Sequence, residues 1–323
     1  MKKVLIIGAG NIASGYDQPN SEWILTHAHA IKCNNMFSLV GFYDVDRVKA
    51  EDAAKKWNTI AIDDLEMIKD SVDVVCCAVP DNLHYDVMKE LYNWNNLQVI
   101  ICEKPITNKL CSARELSNLY LESDKEVIVN YSRRYIDEFI EVKEWIVNKA
   151  GKLTVGTCLY GKGIIHNCSH MINLLHFLFG RIEIDYIGRH FYDYNEDDPS
   201  VDFSVKAKEG KIYFHPIPCN NVTVFEFDLC FEKVRIKYDD TDGYIKYYVV
   251  EESDEGELNY CLRKTVSINR SNALVNLYTN VYNVLEKKEK PKANMEDAVE
   301  ALQVCYQIKE RVLTEKKNGS FSD

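Results

Sequence analysis

The chain has 323 residues, 46% of them hydrophobic and 28% charged. At roughly 150 residues per domain that is about two domains, and the composition excludes collagen, coiled coil and global disorder. A net charge of −11 repels polyphosphate at long range, which excludes nucleic acid as the main partner but not one small phosphorylated ligand.

The opening Lys3–Gly8 run, between two lysines and a glycine pair, reads as a buried strand and is too short for a signal peptide. Further β-rich runs follow at Ser38–Asp44, Val72–Val79, Gln98–Glu103 and Glu126–Asn130. Helical spacing fills the gaps over Val45–Trp57, Asn82–Trp94 and Ser112–Ser123, the second with a face of Leu83, Val87, Leu91 and Tyr92. Strand alternating with helix predicts a doubly wound parallel sheet covered on both faces over residues 1–130. No apolar run is long enough, at about 18 residues, to cross a membrane.

From about Gly151 the pattern changes to alternating strands rich in Tyr and Phe: Leu153–Tyr160, Glu183–Tyr192, Val201–Lys208, Asn221–Phe231, Tyr244–Glu251 and Tyr260–Ile268. Helices are expected at Ser169–Phe179, Ser271–Lys288 and Met295–Thr314, and a disordered tail beyond Glu315. Residues 131–323 thus predict an α+β domain with a large, mainly antiparallel sheet. The 11 cysteines are odd in number, contain no C-x-x-C and include the adjacent Cys76 and Cys77, which fits reduced thiols in the cytoplasm.

Three features point to chemistry. Gly8-Ala9-Gly10-Asn11-Ile12-Ala13 follows the first strand as G-x-G-x-x-A. Gly8 supplies a tight turn, Gly10 a close backbone approach for a pyrophosphate, and Ala13 room for helix–strand packing. Asp44 ends the second strand, where a carboxylate accepts from a ribose diol and repels a 2′-phosphate, favouring NAD over NADP; the alternative is a helix cap, and Arg47 keeps NADP in view. The longer gap from the glycines to Asp44 requires Gly15–Leu25 to be an extra loop, with the helix resuming at Thr26. Finally, Glu103-Lys104-Pro105 follows the fifth run, at the strand end where ligands of such sheets bind.

These motifs, with Ala78-Val79-Pro80…His84 and Tyr131-Ser132-Arg133-Arg134-Tyr135, occur in the order seen in the glucose–fructose oxidoreductase / inositol dehydrogenase / rhizopine-catabolism (Gfo/Idh/MocA) family. Gly163–His170 followed by Met171-Ile172-Asn173 resembles that family's D-x-G-x-H-x-x-D-L helix start, and Asn294–Ile308 its C-terminal helix, expected to pack back on the first domain. The resemblance implies that Lys104 contacts the reacting hydroxyl and that His170 is the general acid/base. It places Gly8, Gly10, Asn11, Ile12, Ala13, Asp44, Val79, Pro80, His84 and Glu103 along the dinucleotide, and Arg133 and Arg134 at the substrate. Where the family has acids, this chain has His166 and Asn173; where it has glycine and asparagine, Cys168 and Ser132. His166 is then a partner or relay for His170, or a contact to a sugar hydroxyl alongside Asn173. A zinc site from His166 and His170 at i, i+4 lacks an evident third ligand, so no metal is expected. His176, and the His27/His29 pair in the family's HAxA segment, read as structural.

The expected activity is NAD(H)-dependent hydride transfer at a carbinol or ketone carbon of a sugar, polyol or nucleotide-linked sugar. Imine or biliverdin-type reduction and a non-catalytic NAD-binding sensor are the alternatives. A lysine ammonium stabilises charge on oxygen, and an imidazole, with its ordinary pKa near neutrality, moves the proton. Tyrosines of the second sheet, Tyr160 first, are expected to stack on a sugar or pair subunits into a homodimer or homotetramer.

Overall fold

The computed structural model describes residues 1–218 and 223–317, side chains excepted at 315–317. The chain forms two compact units, one of residues 1–136 with 270–299, the other of 137–269 with 300–323. The first unit is thus discontinuous, which one boundary at residue 130 does not describe. The return is fixed by hydrogen bonds: Val129 N–H donates to the Ala293 carbonyl at 2.9 Å, and Ile128 bridges Asn294.

In the first unit, strands β1 (Lys2–Ile7), β2 (Phe37–Tyr43), β3 (Ile60–Ala61), β4 (Val74–Cys77), β5 (Val99–Cys102) and β6 (Glu126–Val129) form one parallel sheet in the order β3-β2-β1-β4-β5-β6. All four residues of β4 are fully buried and those of β5 nearly so, which explains apolar runs without alternation: both faces are covered. Order reverses at β1/β4, the switch point where such sheets bind ligands.

Helices α1 (His27–Lys32), α2 (Arg47–Lys56), α3 (His84–Tyr92) and α4 (Leu110–Leu121) connect the strands. The helix after the glycine turn is broken. Asn11–Gly15 is a single π-type turn, residues 16–25 are the inserted loop, and α1 starts only after Thr26, whose Oγ1 accepts the His29 N–H at 3.2 Å. Asp17 closes the loop by accepting the N–H groups of Leu25 and Thr26 at 2.6 and 3.2 Å, the Thr26 hydroxyl at 2.6 Å and His29 Nδ1 at 2.9 Å. Burial pushes the Asp17 carboxyl up, but these donors outweigh it and hold it below its ordinary value.

The α3 core face also differs from expectation. His84, Met88 and Leu91 are buried, while Leu83 is 38% exposed. An imidazole can occupy the core because its N–H donates to one of the two backbone carbonyls, of Pro105 and Val79, that face the ring nitrogens.

The second unit carries α5 (Asp137–Asn148), β7 (Leu153–Tyr160), α6 (Ser169–Phe179), β8 (Ile182–Asn195), β9 (Asp198–Ala207), β10 (Gly210–Pro216), β11 (Phe225–Phe231), β12 (Val234–Asp239), β13 (Tyr244–Glu252) and β14 (Leu258–Ser267). The sheet order is β14-β13-β12-β11-β7-β10-β9-β8, antiparallel except for the β7/β10 pair. Strands β10 and β12 and helix α5 were not expected from the sequence. Both strands are short, yet β12 alternates strictly, with Val234, Ile236 and Tyr238 buried. Helix α7 (Asn272–Leu285) belongs to the first unit, and α8 (Met295–Lys317) contributes its opening turn to it. The start of the expected 221–231 strand, and most of the tail beyond Glu315, lie outside the described residues. No described helix is long and apolar enough to cross a membrane.

Candidate functional site

Gly8 takes φ +97°, and a Cβ there would lie 2.6 Å from the Ala78 carbonyl carbon and oxygen. The glycine lets β1 turn directly against the end of β4. At Gly10 a Cβ would meet nothing within 4 Å. This glycine is not needed for packing inside the chain; it leaves open backbone at the switch point, where a pyrophosphate would approach. Asn11 is exposed, Ile12 half-buried, and Ala13 fully buried, as close packing requires.

Asp44 is locked to this turn: its Oδ2 accepts the Ala9 N–H at 2.8 Å and its Oδ1 the Asp46 N–H at 2.9 Å. It does not cap α2. That role falls to Asp46, whose carboxylate accepts the Val48 N–H. Each Asp44 oxygen retains a lone pair for a ribose hydroxyl. Arg47 is engaged by Glu51 at 2.7 Å and by Asp63.

Lys104 is half-buried just past β5, and the Lys104–Pro105 peptide is cis. Its two neighbours are each held by a histidine. Glu103 Oε1 accepts from His27 Nε2 at 2.9 Å and from Asn130 Nδ2 at 2.7 Å, and His27 Nδ1 meets the Tyr278 hydroxyl at 3.1 Å. On the other side, His84 Nδ1 lies 2.8 Å from the Pro105 carbonyl, and its Nε2 2.9 Å from that of Val79. Glu103 and His84, expected along the dinucleotide, therefore direct their polar atoms inward. They support Lys104 and the Val79–Pro80 turn from beneath, with Val79 half-buried and Pro80 exposed. Burial opposes charge on both His27 and Glu103. The Cys76 sulfur and Glu103 carboxylate beside His27 nonetheless raise it to about 10, while His27, Asn130 and Lys104 keep Glu103 below the ordinary carboxyl value. Sequence reasoning missed this network because its members are 27 to 251 residues apart.

Arg134, expected at the substrate, is buried. It is 4% exposed, donates to the Lys292 carbonyl at 3.0 Å and pairs with Asp297 at 2.9 Å, which ties the 290s segment to the first unit. Arg133 beside it is half-buried.

In the second unit, Lys162 and Gly163 both take left-handed backbone, at φ +62° and +81°, and open a π-type turn, Gly163–Cys168, that leads into α6. His166 therefore sits in the turn and His170 in the first turn of α6, so the two lack the regular α-helical i, i+4 relation assumed for a zinc pair. Asp198 holds the turn, its oxygens accepting the N–H groups of Ile165 at 2.9 Å and His166 at 2.8 Å. A Cβ at Gly163 would fall 2.3 Å from the same carboxylate. Burial raises the Asp198 pKa despite those N–H donors. Asp198, from the start of β9, thus supports the turn from outside the local sequence. His166 is exposed, with its ring stacked on Tyr194 at 4.5 Å. His170 is half-buried and Asn173 buried.

Tyr160, expected as a sugar-stacking wall, is instead a core residue. It has no exposed surface, its hydroxyl donates to the Val201 carbonyl at 2.6 Å and accepts the Val201 N–H at 2.7 Å, and its ring packs among Phe203 and Phe214. Among the described residues, Cys77, His84 and Cys102 place potential ligand atoms within 4.8 Å of one another, with both His84 nitrogens within 3 Å of the carbonyls already named, Nδ1 at 2.8 Å and Nε2 at 2.9 Å.

With this topology and crest the first unit is a dinucleotide-binding domain of the Rossmann type. Residues 2–131 match the GFO_IDH_MocA family model, "Oxidoreductase family, NAD-binding Rossmann fold", so this domain is similar to that family. An uncharacterized oxidoreductase of Schizosaccharomyces pombe is 32% identical over 84 residues, 26% of this chain and 22% of that protein. Glucose-6-phosphate 3-dehydrogenase of Bacillus subtilis is 25% identical over 148 residues, 46% of this chain and 39% of that enzyme. The matches thus span well under half the length of these curated relatives. Among solved structures, an oxidoreductase from Desulfitobacterium hafniense described as NADPH-dependent superposes with TM-score 0.80 at 16% identity, covering 97% of this chain and 96% of that one. UDP-N-acetylglucosamine 3-dehydrogenase from Acidithiobacillus ferrooxidans gives 0.75 at 13% identity, with 95% and 96% covered. These two share the fold of the whole chain.

Proposed function

We propose that the protein is an NAD(H)-dependent oxidoreductase acting at a secondary carbinol of a sugar, polyol or nucleotide-linked sugar. The observation that carries this reading is Lys104, supported on both sides at the carboxyl end of β5, in the same sheet whose glycine turn is locked to Asp44. The open backbone at Gly10 and the carboxylate of Asp44 fit a dinucleotide. Nicotinamide, when bound, supplies the carbon that accepts or donates hydride. Lys104 stabilises negative charge developing on the substrate oxygen, His170 takes or returns the hydroxyl proton, and His166 and Asn173 contact sugar hydroxyls. Arg133 is the remaining basic group of its pair for an anionic portion of the substrate. The sugar class is supported by the names of the two dehydrogenases similar to this chain, one acting on a hexose phosphate and one on a nucleotide-linked amino sugar.

NAD is favoured over NADP because Asp44 meets the ribose side with negative charge while Arg47 is already engaged by two acids. Asp44→Ala removes charge-assisted hydrogen bonds of about 1.5–3 kcal/mol, so NAD affinity falls roughly 10- to 100-fold. Titration of nicotinamide fluorescence with both cofactors checks this; unchanged NAD affinity would remove Asp44 from the ribose site.

We further place the protein in the cytoplasm as a homodimer or homotetramer. Free thiols at ten described cysteines support a reducing compartment. Leu258, Tyr260 and Leu262, 40–72% exposed on the edge strand β14, support pairing there.

A further inference from the structure

Tyr160 lies in the core with no exposed surface, so its ring cannot meet a sugar. The second unit carries another aromatic ring in a better place. Tyr194, near the end of β8, is 52% exposed and lies ring to ring with His166, the centroids 4.5 Å apart and the planes 26° from parallel. An exposed tyrosine keeps its rotamer freedom unless a neighbour holds the ring. Here the neighbour is an imidazole on a turn that is itself held.

Both ends of that turn are clamped by the β8–β9 hairpin that carries Tyr194. Asp198 accepts the N–H groups of Ile165 and His166 at 2.9 and 2.8 Å. Asp193, one residue before Tyr194, accepts the Ser200 hydroxyl at 2.8 Å, and Ser200 Oγ accepts the Gly163 N–H at 3.0 Å. Ser200 has no exposed surface and Asp198 is 7% exposed, so water competes little for these bonds. Strand pairing of Phe191 with Ser200 and of Asn195 with Asp198 fixes the hairpin on either side of Tyr194. The His166–Tyr194 stack is therefore preorganised, and a ligand that meets it pays little to order it.

The face of an aromatic ring is negative, and it attracts the weakly positive hydrogens of C–H groups. A sugar or cyclitol ring presents C–H groups on its faces and hydroxyls around its rim. The imidazole of His166 suits the rim, and the adjoining phenol ring suits a face. Tyr192, the nearby tyrosine on the same strand, stands edge-on to His190 instead, with the planes 90° apart.

We propose that Tyr194 is a specificity-determining residue, whose ring packs against the C–H face of the substrate's sugar or cyclitol ring beside His166. The inference rests on the reading that His166 meets hydroxyls of that substrate.

Saturation-transfer NMR on the full-length protein tests it, with glucose 6-phosphate and UDP-N-acetylglucosamine as probes. NADH is present, because it cannot accept hydride and so prevents turnover. Wild type binds at least one probe, and saturation concentrates on the C–H protons of one sugar face. Tyr194→Leu keeps apolar area without a ring and weakens that binding about 3- to 10-fold. Tyr194→Phe keeps the ring and stays within about twofold of wild type. The Kd for NADH and the melting temperature stay unchanged in both variants, which separates a lost contact from a lost fold.

An unchanged probe Kd in Tyr194→Leu overturns the proposal. So does an equal loss in Tyr194→Phe, which assigns the contact to the hydroxyl, or a wild type that binds neither probe. Saturation confined to the uracil protons of UDP-N-acetylglucosamine overturns it in favour of a base contact. Oxidation of the bound probe by NAD is followed separately. A probe held through Tyr194 but never oxidised removes the proposed activity and leaves this inference standing. Oxidation by Tyr194→Leu at the wild-type kcat/KM does the reverse.

Discussion

Lys104→Ala abolishes measurable turnover while leaving the protein folded and able to bind NAD. Removing one preorganised donor to a developing oxyanion costs about 10²–10³ in kcat, roughly 2.7–4 kcal/mol. The fold survives because the loop has anchors besides the lysine. Glu103 keeps His27 and Asn130, and the Pro105 carbonyl keeps His84. The expected signature is a collapse of kcat with the NAD Kd within about threefold of wild type, read by fluorescence titration. Lys104→Arg restores charge but carries it on a planar fork, and recovers only part of the rate. Turnover at the wild-type rate in Lys104→Ala would remove the lysine from the chemistry.

The second large effect separates the two glycines of the turn. Gly8→Ala puts a methyl group 2.6 Å from the Ala78 carbonyl and 2.8 Å from the Val79 nitrogen, all of it backbone, on a residue at φ +97°. The left-handed conformation costs roughly 1–2 kcal/mol and the overpacking roughly 1–3, so stability falls by about 2–5 kcal/mol and NAD binding fails with the turn. Gly10→Ala meets nothing within 4 Å and keeps an ordinary φ of −73°. It leaves the melting temperature unchanged and weakens NAD binding alone. Calorimetry with NAD titration on both variants checks the contrast; equal melting temperatures would contradict the geometry at Gly8, and full NAD affinity in Gly10→Ala would contradict the approach of a pyrophosphate.

Much of this was legible in the chain because the physics is local. Runs such as Val74–Cys77 lack alternation because both sheet faces are covered, and the glycine turn, Asp44 and Lys104 each sit at a strand end that periodicity marks. The inserted loop before α1 was legible from spacing alone, and its closure by Asp17 was not, because four donors converge on one carboxylate only after folding. The alternating strand β12 (Val234–Asp239) was not read, although β4, at four residues, was.

The inward placement of several expected site residues has one cause. Tyr160, His84, Glu103 and Arg134 carry polar groups that look available in a sequence, but in the fold each finds partners inside. Burial with satisfied hydrogen bonds is a tertiary property, invisible to spacing. The same holds for Asp198, which supports the His166 turn from 32 residues away.

The central claim is tested most directly by incubating the purified protein with NAD and a panel of sugars, hexose phosphates, polyols and nucleotide-linked sugars, while following the absorbance of reduced nicotinamide. The account predicts reduction with one sugar class and none in Lys104→Ala. NAD bound by wild type, with no hydride transfer in either direction for any member of the panel or its keto form, would contradict it and leave a nucleotide-binding protein without turnover.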